Sequence, residues 1–217
     1  MRSFNYFIIA IITIASITFL FFAFSVQVKD RIIFTDVLPD ISEPTITVAD
    51  PQLGPKEAAV TIVNFGDYQC ESCATLDATL TELHATYPDD VRIVWKDMPN
   101  RSSHEQAFPA AIAARCAAEQ DAFWEFHKVL FANQALLSDA LYTALATELG
   151  LNENKFNKCY STQASAPYVE RTEAEGYALE ITATPTLWIN GERSTGASSL
   201  RDLSRIVEDA LRARALE

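Results

Sequence analysis

An α/β domain is predicted: a strand–helix–strand unit, a block of helices, then a β-hairpin and a closing helix. Three observations predict it. An apolar run over residues 60–65 ends at Gly66, and beyond it Leu76, Leu80, Leu83 and Tyr87 recur at helical spacing. A second run rich in β-branched and aromatic residues, 91–96, follows. After a long helical stretch, Thr186-Leu187-Trp188-Ile189 leads into Asn190-Gly191, a tight hairpin signal. At 217 residues the chain is long enough for one domain with a substantial core.

The first part of the chain is of another kind. Residues 3–28 carry no charge and are dominated by Phe, Ile, Leu and Ala. About 20 apolar residues cross a bilayer, so residues 1–30 read as a retained single-pass anchor. A cleavable signal peptide is the rival; its apolar region is shorter, and Ser25-Val26-Gln27 is a poor cleavage site. Arg2 before the segment and Lys29 and Arg31 after it leave the positive-inside rule nearly silent. Residues 31–50, with Pro39 and Pro44 among acidic residues, read as a linker. Within it Thr45-Ile46-Thr47-Val48 alternates as a short edge strand does.

From residue 51 the domain proper is expected. Leu53-Gly54-Pro55 turns the chain into the central strand, and Pro88-Asp89-Asp90 separates the first helix from the second strand. Such a βαβ unit pairs its strands in parallel. Helical periodicity then runs across about 104–180 with no strand inside it, an insertion between two halves of a sheet. Asp121 and Asp139 suit N-caps and Gly150 a helix stop. A return strand over 192–195 and a helix bearing Leu200, Leu203, Ile206 and Val207, capped by Ser198 or Ser199, finish the chain.

Cys70 and Cys73 sit where strand gives way to helix. The first turn of a helix offers unpaired N–H groups and the positive end of the dipole, which stabilise a thiolate. Cys-x-x-Cys there reads as a dithiol that cycles with a disulfide. The competing reading, half a zinc site, needs a second ligand pair, and the widely spaced Cys116 and Cys159 with no His-x-x-x-His do not offer one; no metal is expected. Four cysteines used this way fit an oxidising compartment, so the domain is placed outside the cytoplasm. The net charge of −12 argues against nucleic acid or an anionic membrane surface as partner. Trp95 and Trp188 read as sheet core and Trp124 as helical core. His127, between aromatics, reads as a packed core group, His84 as surface, and His104 as either near the active face or a helix cap.

These pieces together resemble the thioredoxin fold, and more narrowly the DsbA-like extracytoplasmic thiol–disulfide oxidoreductases. The resemblance rests on Phe65-Gly66-Asp67-Tyr68-Gln69-Cys70, on Ala114-Arg115-Cys116-Ala117 with Phe123-Trp124-Glu125-Phe126-His127, and on Thr184-Pro185-Thr186 before a strand. It covers roughly residues 51–215. It implies a thioredoxin-like domain over 51–217, Cys70 as exposed nucleophile and Cys73 as buried resolving thiol. Pro185 would be a cis proline facing the Cys70–Cys73 disulfide, with Thr184 shaping the substrate groove. An exposed backbone there can pair with an extended substrate. The bland alternative is a trans proline opening a strand.

Two departures stand out. Thioredoxins and many relatives carry a buried acid six residues before the nucleophile, where this chain has Asn64. Asn cannot shuttle a proton, so Cys73 must use water or another group. The dipeptide between the cysteines is Glu71-Ser72, where the strongly oxidising members have Pro-His. Glu71 adds negative charge beside the thiolate, which predicts a higher Cys70 pKa and a less oxidising disulfide than in those members. Cys116 and Cys159 read as a structural disulfide, or as two buried thiols.

The expected function is introduction of disulfides into extracytoplasmic proteins carrying cysteine thiols, by a monomer needing no cofactor and reset by a membrane redox partner. The expected location is the bacterial inner membrane, with the catalytic domain periplasmic. Reduction or isomerisation fed by a membrane partner is the alternative, and a metal- or client-binding module a third.

Overall fold

A computed structural model describes residues 41–216 and Thr18. The chain divides into two units, Met1–Pro39 and Asp40–Glu217, and the account below is of the second. The expected membrane anchor lies outside the described residues; among these, no helix is long and apolar enough to cross a membrane.

Five strands form one mixed sheet: β1 Gln52–Leu53, β2 Val60–Gly66, β3 Val91–Asp97, β4 Thr186–Ile189 and β5 Glu192–Thr195, in the order β1-β3-β2-β4-β5. β2 and β3 run parallel over their whole lengths, from Val60 opposite Val91 to Gly66 opposite Asp97. Between them the chain crosses over through helix α1, Glu71–Thr86. β4 returns antiparallel to β2, and β5 folds back on β4 through Asn190 and Gly191, both at positive φ as a two-residue hairpin turn requires. The final helix, Leu200–Arg214, closes the domain, with Ser199 accepting from the Asp202 amide as its N-cap.

β2 alternates its side chains between two cores. Val60 and Ile62 face Leu76, Leu80 and Leu83 of α1 and Leu203 and Val207 of the final helix. Val63 and Phe65 face Met98, Leu179, Ile181 and Trp188 on the other side. Each fully buried aliphatic or aromatic side chain contributes about 1.5–3 kcal/mol, and this double burial makes β2 the axis of the domain. The helical insertion follows β3 as α2 Ala107–Ala118, α3 Phe123–Ala132, α4 Asp139–Glu148, α5 Glu153–Ser161 and α6 Ala166–Ala178. Its core of alanines, Phe126, Leu130, Tyr142 and Phe156 is continuous with Tyr68, Cys73 and Trp95. α2 and α5 are joined by a Cys116–Cys159 disulfide.

Three local expectations differ from the structure. Residues 45–48 form no strand, because Thr47 turns to donate its amide and hydroxyl to Asp50 Oδ2. The edge strand lies instead at Gln52–Leu53, antiparallel to β3. Asp121 adopts a left-handed φ of 59° in the turn before α3, and the Ala122 cap has no side-chain bond. Ser138, not Asp139, caps α4. Residues 41–50 hold to the domain through ions: the fully buried Lys96 reaches Asp50 at 3.0 Å and Glu175 at 2.8 Å, and donates to the Thr45 carbonyl. Burial raises the Asp50 carboxyl, but Lys96 and the Thr47 bonds outweigh it and hold the carboxyl below its usual range.

Candidate functional site

Gly66 ends β2 directly under Trp95, where a Cβ would run into the indole ring. The connection from there to α1 is pinned by Asp67, which is buried. Its Oδ1 accepts from the Gln69 amide at 2.7 Å, and its Oδ2 from the Asn100 amide at 2.8 Å. His104 Nδ1 lies 2.7 Å from the same Oδ2, which places His104 beside the approach to the cysteines. From the insertion, Gln134 Nε2 donates to the carbonyls of Tyr68 and Cys70 at 2.8 and 3.0 Å. The turn's own Asp67, His104 and the Gln134 amide thus immobilise the four residues between β2 and α1.

Cys70 is the N-cap of α1, with extended φ −81° and ψ 115°. Its Sγ accepts from the Cys73 amide at 3.2 Å and lies 3.2 Å from Ser72 Oγ. Cys70, expected as an exposed nucleophile, is buried with only 8% of the residue exposed, and Cys73 is fully buried; both are free thiols, the dithiol rather than the disulfide form. The Cys73 thiol donating to Cys70, followed by Ser72, Thr184 and the helix amide, outweighs burial and lowers the Cys70 pKa to about 5. Burial, and then the Cys70 contact, push the Cys73 thiol strongly upward. The two thiols are therefore unlike: one is ionised at neutral pH and keeps a small exposed surface, the other is protonated and fully covered. Glu71 lies exposed on the first turn, and the groups that set the Cys70 thiol are Cys73, Ser72 and Thr184.

The Thr184–Pro185 peptide bond is cis, and Cys70 Sγ lies 3.4 Å from the Thr184 carbonyl oxygen. Pro185 accepts at its own carbonyl from the Gly196 amide at 2.9 Å, which ties the loop to the strand pair. Beside Thr184 opens a cleft of about 360 Å³ lined by Met98, Asn100, Arg101, Tyr177 and Ile181. Arg101 is held there by an ion pair with Glu173 and by the face of Phe108, 3.4 Å from its guanidinium carbon. Asn64 is buried on β2, opposite Trp95 and six residues before Cys70, and its Oδ1 has no hydrogen-bond partner.

The structure thus brings Cys70, Cys73, Ser72, Thr184 and Pro185 together, with Asn64 on β2 at the cavity that Asp77 and His127 line and Cys116–Cys159 in the insertion. Asp67, Gln134 and Tyr68 escaped sequence reasoning. Asp67 and Tyr68 lie within the quoted approach to Cys70, but nothing in their spacing shows where their side chains turn. Gln134 comes from a different element 64 residues on. Among the described residues, no cluster of three or more His, Cys, Asp or Glu is placed to hold a metal ion.

The family model described as Thioredoxin matches residues 47–209. A curated relative, the Na(+)/H(+) antiporter NhaA 3 of Salinispora tropica, is 33% identical over 171 residues, 79% of this chain and 26% of that protein. The chain spans about a quarter of the length of the curated relatives it matches. Among solved structures, the catalytic domain of Proteus mirabilis ScsC is 26% identical with a TM-score of 0.66, covering 76% of this chain and 91% of that one. BdbD from Bacillus subtilis, at 24% identity, shares the fold with a TM-score of 0.70 over 79% of this chain and 97% of its own.

Proposed function

The chain belongs to the thioredoxin family, and from that premise we propose that it is a DsbA-like thiol–disulfide oxidoreductase that introduces disulfides into proteins. The observation that carries this reading is the pairing of a low-pKa Cys70, slightly exposed, with a fully covered Cys73, beside the Thr184 carbonyl. A substrate thiolate attacks Cys70 Sγ of the Cys70–Cys73 disulfide. That bond breaks, its electron pair leaves on Cys73, and Cys73 takes up a proton. A second substrate thiolate then attacks the substrate sulfur of the mixed disulfide, and Cys70 departs as a thiolate. Two substrate thiols become one disulfide and the enzyme is left as the dithiol, which a redox partner reoxidises. A good leaving thiolate at Cys70 favours release, and stabilising it makes the disulfide the stronger oxidant.

The open backbone at Thr184 and the cleft beside it suit an extended substrate segment laid against the Cys70 sulfur. We place this activity on the extracytoplasmic side of a bacterial inner membrane. The uncharged run 3–28 as an anchor, and a buried Cys116–Cys159 disulfide in the same domain, support that reading. So does the presence of a matching segment in proteins named as antiporters. The test is oxidative refolding of reduced, denatured ribonuclease by the full oxidised chain. Recovery of ribonuclease activity with wild type and its loss with Cys70→Ser is expected; no recovery with wild type would overturn the proposal.

A further inference from the structure

Cys73 must gain a proton when the Cys70–Cys73 bond opens and lose it when the bond closes, yet no part of it reaches solvent. Asn64 on β2 has no acidic proton to exchange. Three observations converge on a substitute. Asp77 follows Cys73 by four residues on α1, so both leave the same face of the helix. His127 of α3, only 2% exposed, has Nε2 at 2.8 Å from Asp77 Oδ1 and Nδ1 at 2.8 Å from the Tyr68 hydroxyl. A cavity of about 160 Å³ among apolar side chains also has Asn64, Asp77, Thr81, His127 and Lys128 in its lining, and the buried Asn64 Oδ1 has no hydrogen-bond partner. A space of that size holds a water where two or more polar groups can partner it, and these five supply them.

We propose that the Asp77–His127 pair, acting through water in this cavity, is the proton station that serves Cys73. The inference rests on the exchange reading above. When a substrate thiolate opens the disulfide, the electron pair settles on Cys73 Sγ; the station passes its proton to a cavity water, and that water gives one to the sulfur. On closure the thiol proton returns by the same route, and the freed electron pair on Cys73 attacks Cys70 Sγ of a mixed disulfide, expelling the other sulfur as a thiolate. The Asp77 side chain keeps 17% exposure, which lets the station re-equilibrate with solvent.

The groups facing His127 are few. Asp77 approaches from α1, the Tyr68 hydroxyl from the turn before it, and Lys128 sits beside it on α3 at the same cavity. Trp95, Phe123, Trp124 and Phe131 supply the remaining surroundings. Tyr68 stays a hydroxyl, because burial and then Asp97 push it well above its usual range, with Arg115 only partly opposing. A hydroxyl can donate to Nδ1 or accept from an Nδ1–H, so the ring can take up a second proton between Tyr68 and the Asp77 carboxyl group and give it up again. Asp77 and His127 act on the sulfur through water and are positioning residues rather than contacts of it.

The full reduced chain treated with a chromogenic aryl disulfide releases one aryl thiolate when Cys70 attacks and a second when Cys73 displaces the first adduct, so the second phase reports Cys73 alone. Asp77→Asn should leave the first phase and the ultraviolet thiolate titration of Cys70 unchanged. The second phase should slow about tenfold to a hundredfold at pH 7, with an altered pH profile. Adding Asn64→Asp to that variant puts a carboxylate back on the same cavity and should recover most of the second phase, which a merely structural loss at Asp77 would not allow. An Asp77→Asn second phase within about twofold of wild type, or a loss that Asn64→Asp leaves in place, overturns the station while the functional reading stands. A wild-type chain with no first phase overturns both.

Discussion

Cys70 shows how little of a reactive residue's character is its own. An isolated thiol would be mostly protonated at neutral pH; here the Cys73 thiol, the Ser72 hydroxyl and the first-turn amide converge on its sulfur. Hydrogen bonds to a charged group contribute about 1.5–3 kcal/mol, and one pKa unit is 1.36 kcal/mol. Removing the largest contributor with Cys73→Ala should therefore raise the Cys70 midpoint by about one to two units. Absorbance at about 240 nm against pH measures both, with wild type expected near 5. A linked effect follows for stability. The Cys70 pKa is depressed by folding, so its contribution is complete above the ordinary thiol value of about 8.5 and drains as pH falls through about 5. The reduced chain should gain on the oxidised one as pH rises from 5 to 8.5, read from urea midpoints. Above that the raised Cys73 thiol works against folding of the reduced form. At this scale the sequence identified the two cysteines from the strand–helix junction. It could not show that Cys73, Ser72 and Thr184 rather than Glu71 set the Cys70 thiol, since a side chain's direction on a first turn depends on what packs beside it.

Among the elements, two connections hold pieces that propensity alone would leave loose. The Cys116–Cys159 bridge closes a sequence separation of 43 and ties α2 to α5. On the chain-entropy account that contributes about 4 kcal/mol. The Cys116→Ala, Cys159→Ala double variant should lose about that much in urea unfolding of the oxidised form while keeping disulfide exchange at Cys70. Lys96 is the other connection. Lys96→Met leaves the buried Asp50 with Arg171 alone as ionic partner and takes the Lys96 partner from Glu175, and should cost about 3 kcal/mol. Proteolysis should then cut first within 41–50, where Arg171 to Asp50 and Thr47, Arg115 to the Ala49 carbonyl and Thr45 to Glu175 are the ties that remain. The same segment explains an element that sequence missed. Thr45 to Val48 has the alternation of a strand, but Thr47 and Thr45 spend their donors on Asp50 and Glu175 instead of on a ladder. β2, β3, β4 and β5 were legible because burial on both faces or a two-residue turn leaves one register open to them.

Across the whole molecule, the thioredoxin-like sheet with its helical insertion could be read from period changes and Asn190-Gly191, as the family match over residues 47–209 bears out. What stayed hidden was the convergence of distant groups, such as Gln134 under the Cys70 carbonyl and His127 against Asp77, because long-range contacts leave no local signature. The account as a whole turns on the direction in which Cys70 and Cys73 prefer to pass electrons. A nucleophile near pKa 5 lies between thioredoxin, near 7, and DsbA, near 3.5. Their potentials are about −270 and −120 mV, so this pair should lie at about −180 mV. The equilibrium of the full chain against reduced and oxidised glutathione measures that directly. A value within about 30 mV of it supports a donor of disulfides, and one at or below about −270 mV contradicts the account by making the pair a reductant.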